Sequence, residues 1–201
     1  MSNKIEKYIL FKFFKANGII FKYDVDKNHC IKIVEENNKD KSNVLKELNI
    51  CNLNSNNEYY IVKPENPTNI KPSKQTERVI IEYDKEKDFM NLIFIEMKPK
   101  KVKLKKEVIP KFEKTFTWLY LLFNLLKNKE GKKFKVYLLL CKYSDEKKDD
   151  EYCKAELKVL ETLKVKYVRI IKHSNQNEIM YVDINDILAD TKNICKEVVD
   201  K

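Results

Sequence analysis

The chain has 201 residues, of which 43% are hydrophobic and 36% charged, with a formal net charge of +10. That suffices for one domain with a real core; no stretch is apolar and long enough to span a bilayer, and Met1 to Lys15 lacks the uninterrupted apolar centre of a secretory leader. The basic surplus points to a polyanion such as nucleic acid, but a composition rich in Lys, Asn and Ile with only two Gly raises lysine everywhere, so the placement of charge outweighs its sum.

The five cysteines, Cys30, Cys51, Cys141, Cys153 and Cys195, are scattered and form no C-x-x-C pair. The expectation is reduced thiols in a cytoplasmic protein, with neither a zinc site nor a disulfide framework. His29 and His173 lie far apart in sequence and read as surface residues.

Taken in order, Asn3 to Ala16 carries a broad helical stripe ended by Asn17-Gly18. Ile19 to Tyr23 and His29 to Val34 read as two short strands joined by a polar turn. Asp40 to Leu48 reads as a short helix, Cys51 to Asn57 as a polar loop and Glu58 to Val62 as a strand with half-buried Tyr59 and Tyr60. Pro64, Pro67 and Pro72 mark an irregular connection. Arg78 to Asp84 and Met90 to Lys98 form a hairpin about the charged turn Lys85 to Asp88, and Glu82, Asp84, Glu86 and Asp88 read as its solvated tip. Pro99 stops the second strand.

Ile109, Phe112, Phe116, Leu119, Phe123 and Leu126 then repeat at helical spacing, with Pro110 admissible only in the first turn. Trp118 and Tyr120 read as core on this helix. Phe134 to Cys141 is a buried strand, parallel to the one before the helix. Tyr152 to Leu163 reads as a helix, Lys166 to Lys172 and Glu178 to Asp183 as strands, and Ile184 to Val199 as mostly helical. The sum is a single α/β domain with a mixed central sheet flanked by helices on both faces.

The chemistry gathers where the second hairpin strand ends in Glu96-Met97-Lys98. Residues i and i+2 of a strand share a face, so Glu96 and Lys98 project together. A divalent ion that activates water needs a second carboxylate, and Glu77, Glu82 and Asp84 are the candidates. With the turn centred near Lys87, Glu82 falls roughly 13 Å along the strand from Glu96, and Asp84 is further still. Only Glu77 reaches, and only if it lies across from Glu96 with Val79 across from Phe94; a slip of one residue turns it to the other face.

Thr76-Glu77-Arg78-Val79-Ile80-Ile81, then Leu92 to Lys98, a long helix and a buried strand together resemble the core of the PD-(D/E)xK nuclease superfamily, over about residues 73 to 142. The resemblance implies a restriction-endonuclease-like fold with residues 1–72 as N-terminal elaboration and residues 143–201 as further helices and strands. It departs at the first acid, which is Glu after Thr where the pattern has Asp, often after Pro. It implies Glu77, Glu96 and Lys98 as catalytic residues, with Mg²⁺ or Mn²⁺ held by Glu77, Glu96 and the Met97 carbonyl. Lys111 is the nearest match to a polar residue that some members carry at the start of the helix. The implied activity is hydrolysis of phosphodiester bonds, in DNA more than RNA, with no membrane partner and with homodimers common among such nucleases.

Lys100, Lys101, Lys103, Lys105 and Lys106 follow the site directly, and with Lys111 they form the expected phosphate-gripping set. Two plainer readings stand beside these. The lysine run is a solvated loop, and Glu96-Lys98 an edge ion pair of small energetic value. The rival function is a non-catalytic nuclease-like module that binds nucleic acid or a protein partner.

Overall fold

A computed structural model describes residues 15, 18–25, 29–34, 46–64, 76, 78–98, 104–125, 133–143, 168–173, 179–189 and 194–198. Ten strands and two helices are described: β1 (Ile20–Tyr23), β2 (Ile31–Val34), β3 (Glu47–Cys51), β4 (Glu58–Val62), β5 (Arg78–Asp84), β6 (Phe89–Lys98), α1 (Ile109–Leu125), β7 (Lys133–Tyr143), β8 (Val168–His173), β9 (Ile179–Asp183), α2 (Ile184–Leu188) and β10 (Ile194–Val198). The fold is mixed α/β and mostly strand. Seven strands form one sheet in the order β1-β4-β5-β6-β7-β8-β10, and three form another in the order β2-β3-β9.

The centre of the large sheet follows the sequence pattern. β5 and β6 pair antiparallel with Val79 opposite Phe94 and Arg78 opposite Ile95, the register that the two-acid arrangement requires. β6 and β7 pair parallel, with Glu96 opposite Leu140, because the chain between them spends its length on a crossover helix. A π-helical turn, Leu104–Val108, leads into that helix, and Pro110 sits in its first turn, where a missing N–H costs nothing.

Strand alternation sends two sets of side chains to opposite faces. Val79, Ile81, Leu92, Phe94, Leu138 and Leu140 meet Ile109 and Leu119 of α1. Phe112 stands edge-on to Phe94, with ring centroids 5.1 Å apart, and this aromatic contact seats the first turns of the helix. Ile80, Ile93, Ile95, Met97, Tyr137 and Leu139 face the other way. There they meet Ile31, Ile33, Leu48, Ile50, Met180 and Val182 of the small sheet, together with Ile184 and Ile187 of α2. Each large side chain so buried contributes roughly 1.5–3 kcal/mol. Among the described residues, the second face is therefore covered by a sheet and one short helix, not flanked by long helices.

Other expectations are corrected. β1 and β2, read as neighbours about a turn, part company: β1 pairs with β4 and β2 with β3. β8 and β9 likewise belong to different sheets. Glu47 and Leu48, read as the end of a helix, lie in β3, where Leu48 and Ile50 are core. Ile194–Val198, read as helical, is a strand parallel to β8. Tyr59 and Tyr60 are wholly buried, not half-buried, because β4 is an interior strand with core on both faces. Reduced thiols do not hold at Cys30 and Cys51, which form a disulfide. The pairing of Ile31 with Ile50 sets the next residues outward, Cys30 and Cys51, opposite one another across antiparallel strands. Cys141 is a free, buried thiol. The helices expected over Asn3 to Ala16 and Tyr152 to Leu163 lie outside the described residues, apart from Lys15. No helix among the described residues is long and apolar enough to cross a membrane.

Candidate active site

Glu96 is the last but two residue of β6, at the carboxyl end of two parallel strands. That is the edge of a sheet where the following loop and helix gather functional groups, since every crossover leaves from it. Strand parity puts Glu96 with Leu92 and Phe94 on the face that α1 covers. Its side chain is 0% exposed. A carboxylate so far from water needs compensation from hydrogen bonds and positive charge. Part of it comes from the first turn of α1, where Lys111 Nζ donates to Glu96 Oε1 at 2.5 Å. The Lys111 side chain is 23% exposed, so its ammonium lies between the buried carboxylate and solvent.

One turn further along α1, Thr115 is buried. Its hydroxyl donates to the Lys111 carbonyl at 2.9 Å and accepts from the Thr76 amide at 3.0 Å. The residue that precedes Glu77 in the chain is thus tied to the helical turn that carries Lys111, while Arg78, which follows Glu77, is fixed in β5. Sequence reasoning missed this clamp. Two threonines 39 positions apart give no local signal, and only the seating of α1 on the sheet brings them together.

The placement of the other expected residues is uneven. Glu77 lies outside the described residues, as do Lys100, Lys101 and Lys103. Met97 is wholly buried on the second face, in register with Cys141. Lys98 closes β6 opposite Lys142. Lys105 belongs to the π-helical turn and Lys106 is exposed. Lys111, read as a phosphate contact, is engaged with Glu96. The donor set can be weighed against a hard divalent ion on these terms. Glu96 offers a carboxylate oxygen at a point that already accepts a positive charge, which suits such an ion. Among the described residues no three His, Cys, Asp or Glu side chains gather into a metal-holding group, and Glu77, the second acid expected, lies outside them.

Two more buried carboxylates lie toward the hairpin turn. Glu82, expected in a solvated tip, is only 3% exposed, because its cross-strand partners Tyr59 and Asn91 carry it into the sheet. It accepts from Asn57 Nδ2 and Tyr59 Oη at 2.9 Å each, and from Asn91 Nδ2 at 2.7 Å. Glu58 accepts from Tyr60 Oη at 2.7 Å and pairs with Lys22 at 3.2 Å and Lys85 at 3.3 Å. Burial alone raises the Glu58 pKa, but the Tyr60 hydroxyl and the two ammonium groups outweigh it and hold the carboxyl below its ordinary range. Beside Glu58 opens a polar cavity of about 370 Å³ that Lys22, Asp24, Asn57 and Lys85 help to line. Its charges balance: the two lysines are offset by Glu58 and Asp24.

Comparison with family models, curated proteins and solved structures finds no match to this chain.

Proposed function

We propose that the chain is a metal-dependent nuclease with a restriction-endonuclease-like core of the PD-(D/E)xK type, acting on DNA in preference to RNA. The observation that carries the reading is the position of Glu96. It is a buried carboxylate at the carboxyl end of β6 that holds a cation, in a hairpin whose register sets Val79 opposite Phe94. The order of β5, β6, α1 and a parallel β7 supports the same reading.

Glu77 and Glu96 are the residues that would hold Mg²⁺ or Mn²⁺, with the Met97 carbonyl as a further oxygen. Bound there, such an ion would polarise the phosphodiester and acidify a water. Burial of Glu96 fixes its carboxylate and withdraws it from competing water. Lys98 serves to orient the attacking water and to offset charge that grows on the phosphate. The Thr76–Thr115–Lys111 chain of hydrogen bonds sets the spacing between the entry to β5 and the first turn of α1. Lys106, exposed in the π-helical turn, and its neighbours in the basic run supply sequence-independent phosphate contacts.

One observation favours a second reading. The ammonium of Lys111 lies where a metal would be needed, as it would in a nuclease-like module that binds nucleic acid or a protein partner without cutting. Purified protein incubated with plasmid DNA separates the two. The nuclease nicks or cuts only with Mn²⁺ or Mg²⁺. Glu96→Gln and Lys98→Ala each lower the rate by about 100-fold or more, while DNA binding in EDTA persists. Binding with steep salt dependence and no cleavage under any metal assigns the chain to the second reading.

A further inference from the structure

We propose that the Cys30–Cys51 disulfide is a redox latch on the polar cavity beside Glu58: it fixes one of the two walls of that cavity, and a thiol reductant frees that wall alone.

The cavity is lined from two sides. Tyr23, Asp24 and Val25, where β1 ends, form one wall, and Ser55, Asn57 and Glu58, where β4 begins, form the other. Cys30 lies between the first wall and β2, and Cys51 closes β3 ahead of the second. The bond therefore joins the two stretches of chain that lead to opposite walls. The Tyr23 hydroxyl donates to the Cys30 carbonyl, which ties the first wall directly to a bonded cysteine.

The walls differ in what else holds them. On the Cys51 side, β3 is paired with β9 as well as with β2, and Asn52 Nδ2 donates to Asp183 Oδ2 at 2.6 Å. The Asn54 amide donates to Tyr59 Oη at 3.0 Å, the Asn57 amide to the Asn54 carbonyl at 3.0 Å, and Asn57 Nδ2 to Glu82 at 2.9 Å. These contacts survive without the disulfide. On the Cys30 side, β2 has four residues and, among the described residues, pairs with β3 alone. Ile31 and Ile33 keep it on the core, so what the bond restrains is the end at Cys30 and the wall tied to it. Ends of short edge strands open locally at little cost, and a cross-link to the neighbouring strand removes that freedom.

Both cysteines are half-buried, within reach of a small dithiol. Its thiolate attacks one sulfur to give a mixed disulfide, and its second thiol displaces the protein and closes a cyclic disulfide. Two electrons and two protons pass to the protein, and Cys30 and Cys51 end as thiols. The cavity then keeps one rigid wall where it had two.

Hydrogen exchange of the full chain, read by mass spectrometry before and after dithiothreitol, tests this. Iodoacetamide is expected to label Cys30 and Cys51 after reduction and not before; labelling without reductant overturns the latch. Peptides that include residues 23–25 and 29–31 should exchange at least about 10-fold faster in the reduced chain, and peptides over residues 54–60 within about 2-fold of the oxidised rate. Exchange that reduction leaves unchanged overturns the proposal. Equal acceleration in both sets overturns it too, since the bond is then a staple of the whole fold. Cys30→Ser combined with Cys51→Ser should reproduce the reduced pattern in any reductant, and a variant that exchanges like the oxidised chain sinks the latch. Reduction of the wild-type chain needs no folded variant.

Discussion

Glu82 and Glu96 lie in the two strands of one hairpin, and both are withdrawn from solvent, yet their surroundings differ in kind. Glu82 belongs to a cross-strand row, Tyr59–Glu82–Asn91, completed by Asn57 from the loop before β4. Its three hydrogen-bond donors are uncharged and short, and each is fixed by the sheet or by a tight loop. Three donors nearly exhaust what a carboxylate accepts, and none can withdraw without opening the fold. Glu96, on the opposite face, takes a charged donor from the first turn of α1 through a long, partly exposed side chain. Two equally buried carboxylates are thus held by different means, one by fixed neutral donors and one by a single long cationic side chain.

The largest expected effect probes the closed side of that contrast. Glu82→Ala strands the donors of Asn57, Tyr59 and Asn91 in the interior, and each buried donor left without an acceptor costs about 1–3 kcal/mol. Denaturant unfolding should show a loss of about 3 kcal/mol or more, whereas the Mn²⁺ binding proposed for Glu96 should not move. A Glu82→Ala protein that unfolds normally but no longer binds Mn²⁺ would show that the two carboxylates do not act separately.

Glu58 lies between the two extremes, with one fixed tyrosine and two surface lysines as partners. Its folded pKa is depressed, while the unfolded chain takes up that proton near about pH 4.3. The folded protein binds the proton less readily than the unfolded one. Its contribution to stability is therefore full above that pH and lost as the pH falls through the folded value. Glu58→Gln should cost about 2 kcal/mol at pH 7 and flatten the acid limb of the stability curve. An unchanged acid limb would mean that Lys22 and Lys85 are screened by solvent and that only the Tyr60 hydroxyl matters.

What could be read without coordinates follows from the range of each signal. The hairpin, its register, α1 and the parallel β7 were legible because alternation, a charged turn and helical spacing are local patterns. Glu96 was legible as the end of an apolar strand. The small sheet was not, because β2, β3 and β9 are distant in sequence and pair across both parallel and antiparallel ladders. Helical spacing over Asp40 to Leu48 also competed with β3, and tertiary pairing prevailed at Glu47 and Leu48. The disulfide was hidden for the same reason, since it depends on a pairing register between segments 21 residues apart. Glu82 was misread because charge near a turn suggests solvent, whereas its neighbours in the row are a buried tyrosine and an asparagine. Lys111 was read only as a polar residue near the start of the helix, and its engagement with Glu96 depends on the seating of α1 on the sheet, where Phe112 meets Phe94.

The smallest effect comes from the donor side of the Glu82 row. Tyr59 is buried beside a carboxylate to which it donates; burial first, then the charge of Glu82 and that hydrogen bond, push its pKa above the ordinary value. Its hydroxyl also accepts from the Asn54 amide at 3.0 Å. Tyr59→Phe should cost about 1 kcal/mol at pH 8. The pH dependence gives a sharper test. An unfolded tyrosine ionises near about pH 10 while folded Tyr59 stays protonated, so its stabilising contribution is full below that pH and lost above it. The gap between wild type and Tyr59→Phe should therefore narrow as the pH is raised from 8 to about 11, by up to about 1 kcal/mol. The remaining tyrosines contribute alike to both proteins and cancel in the difference. A gap that stays constant over that range would mean that Tyr59 ionises as readily in the folded chain as in the unfolded one, and the Glu82 row would then be open to water rather than closed.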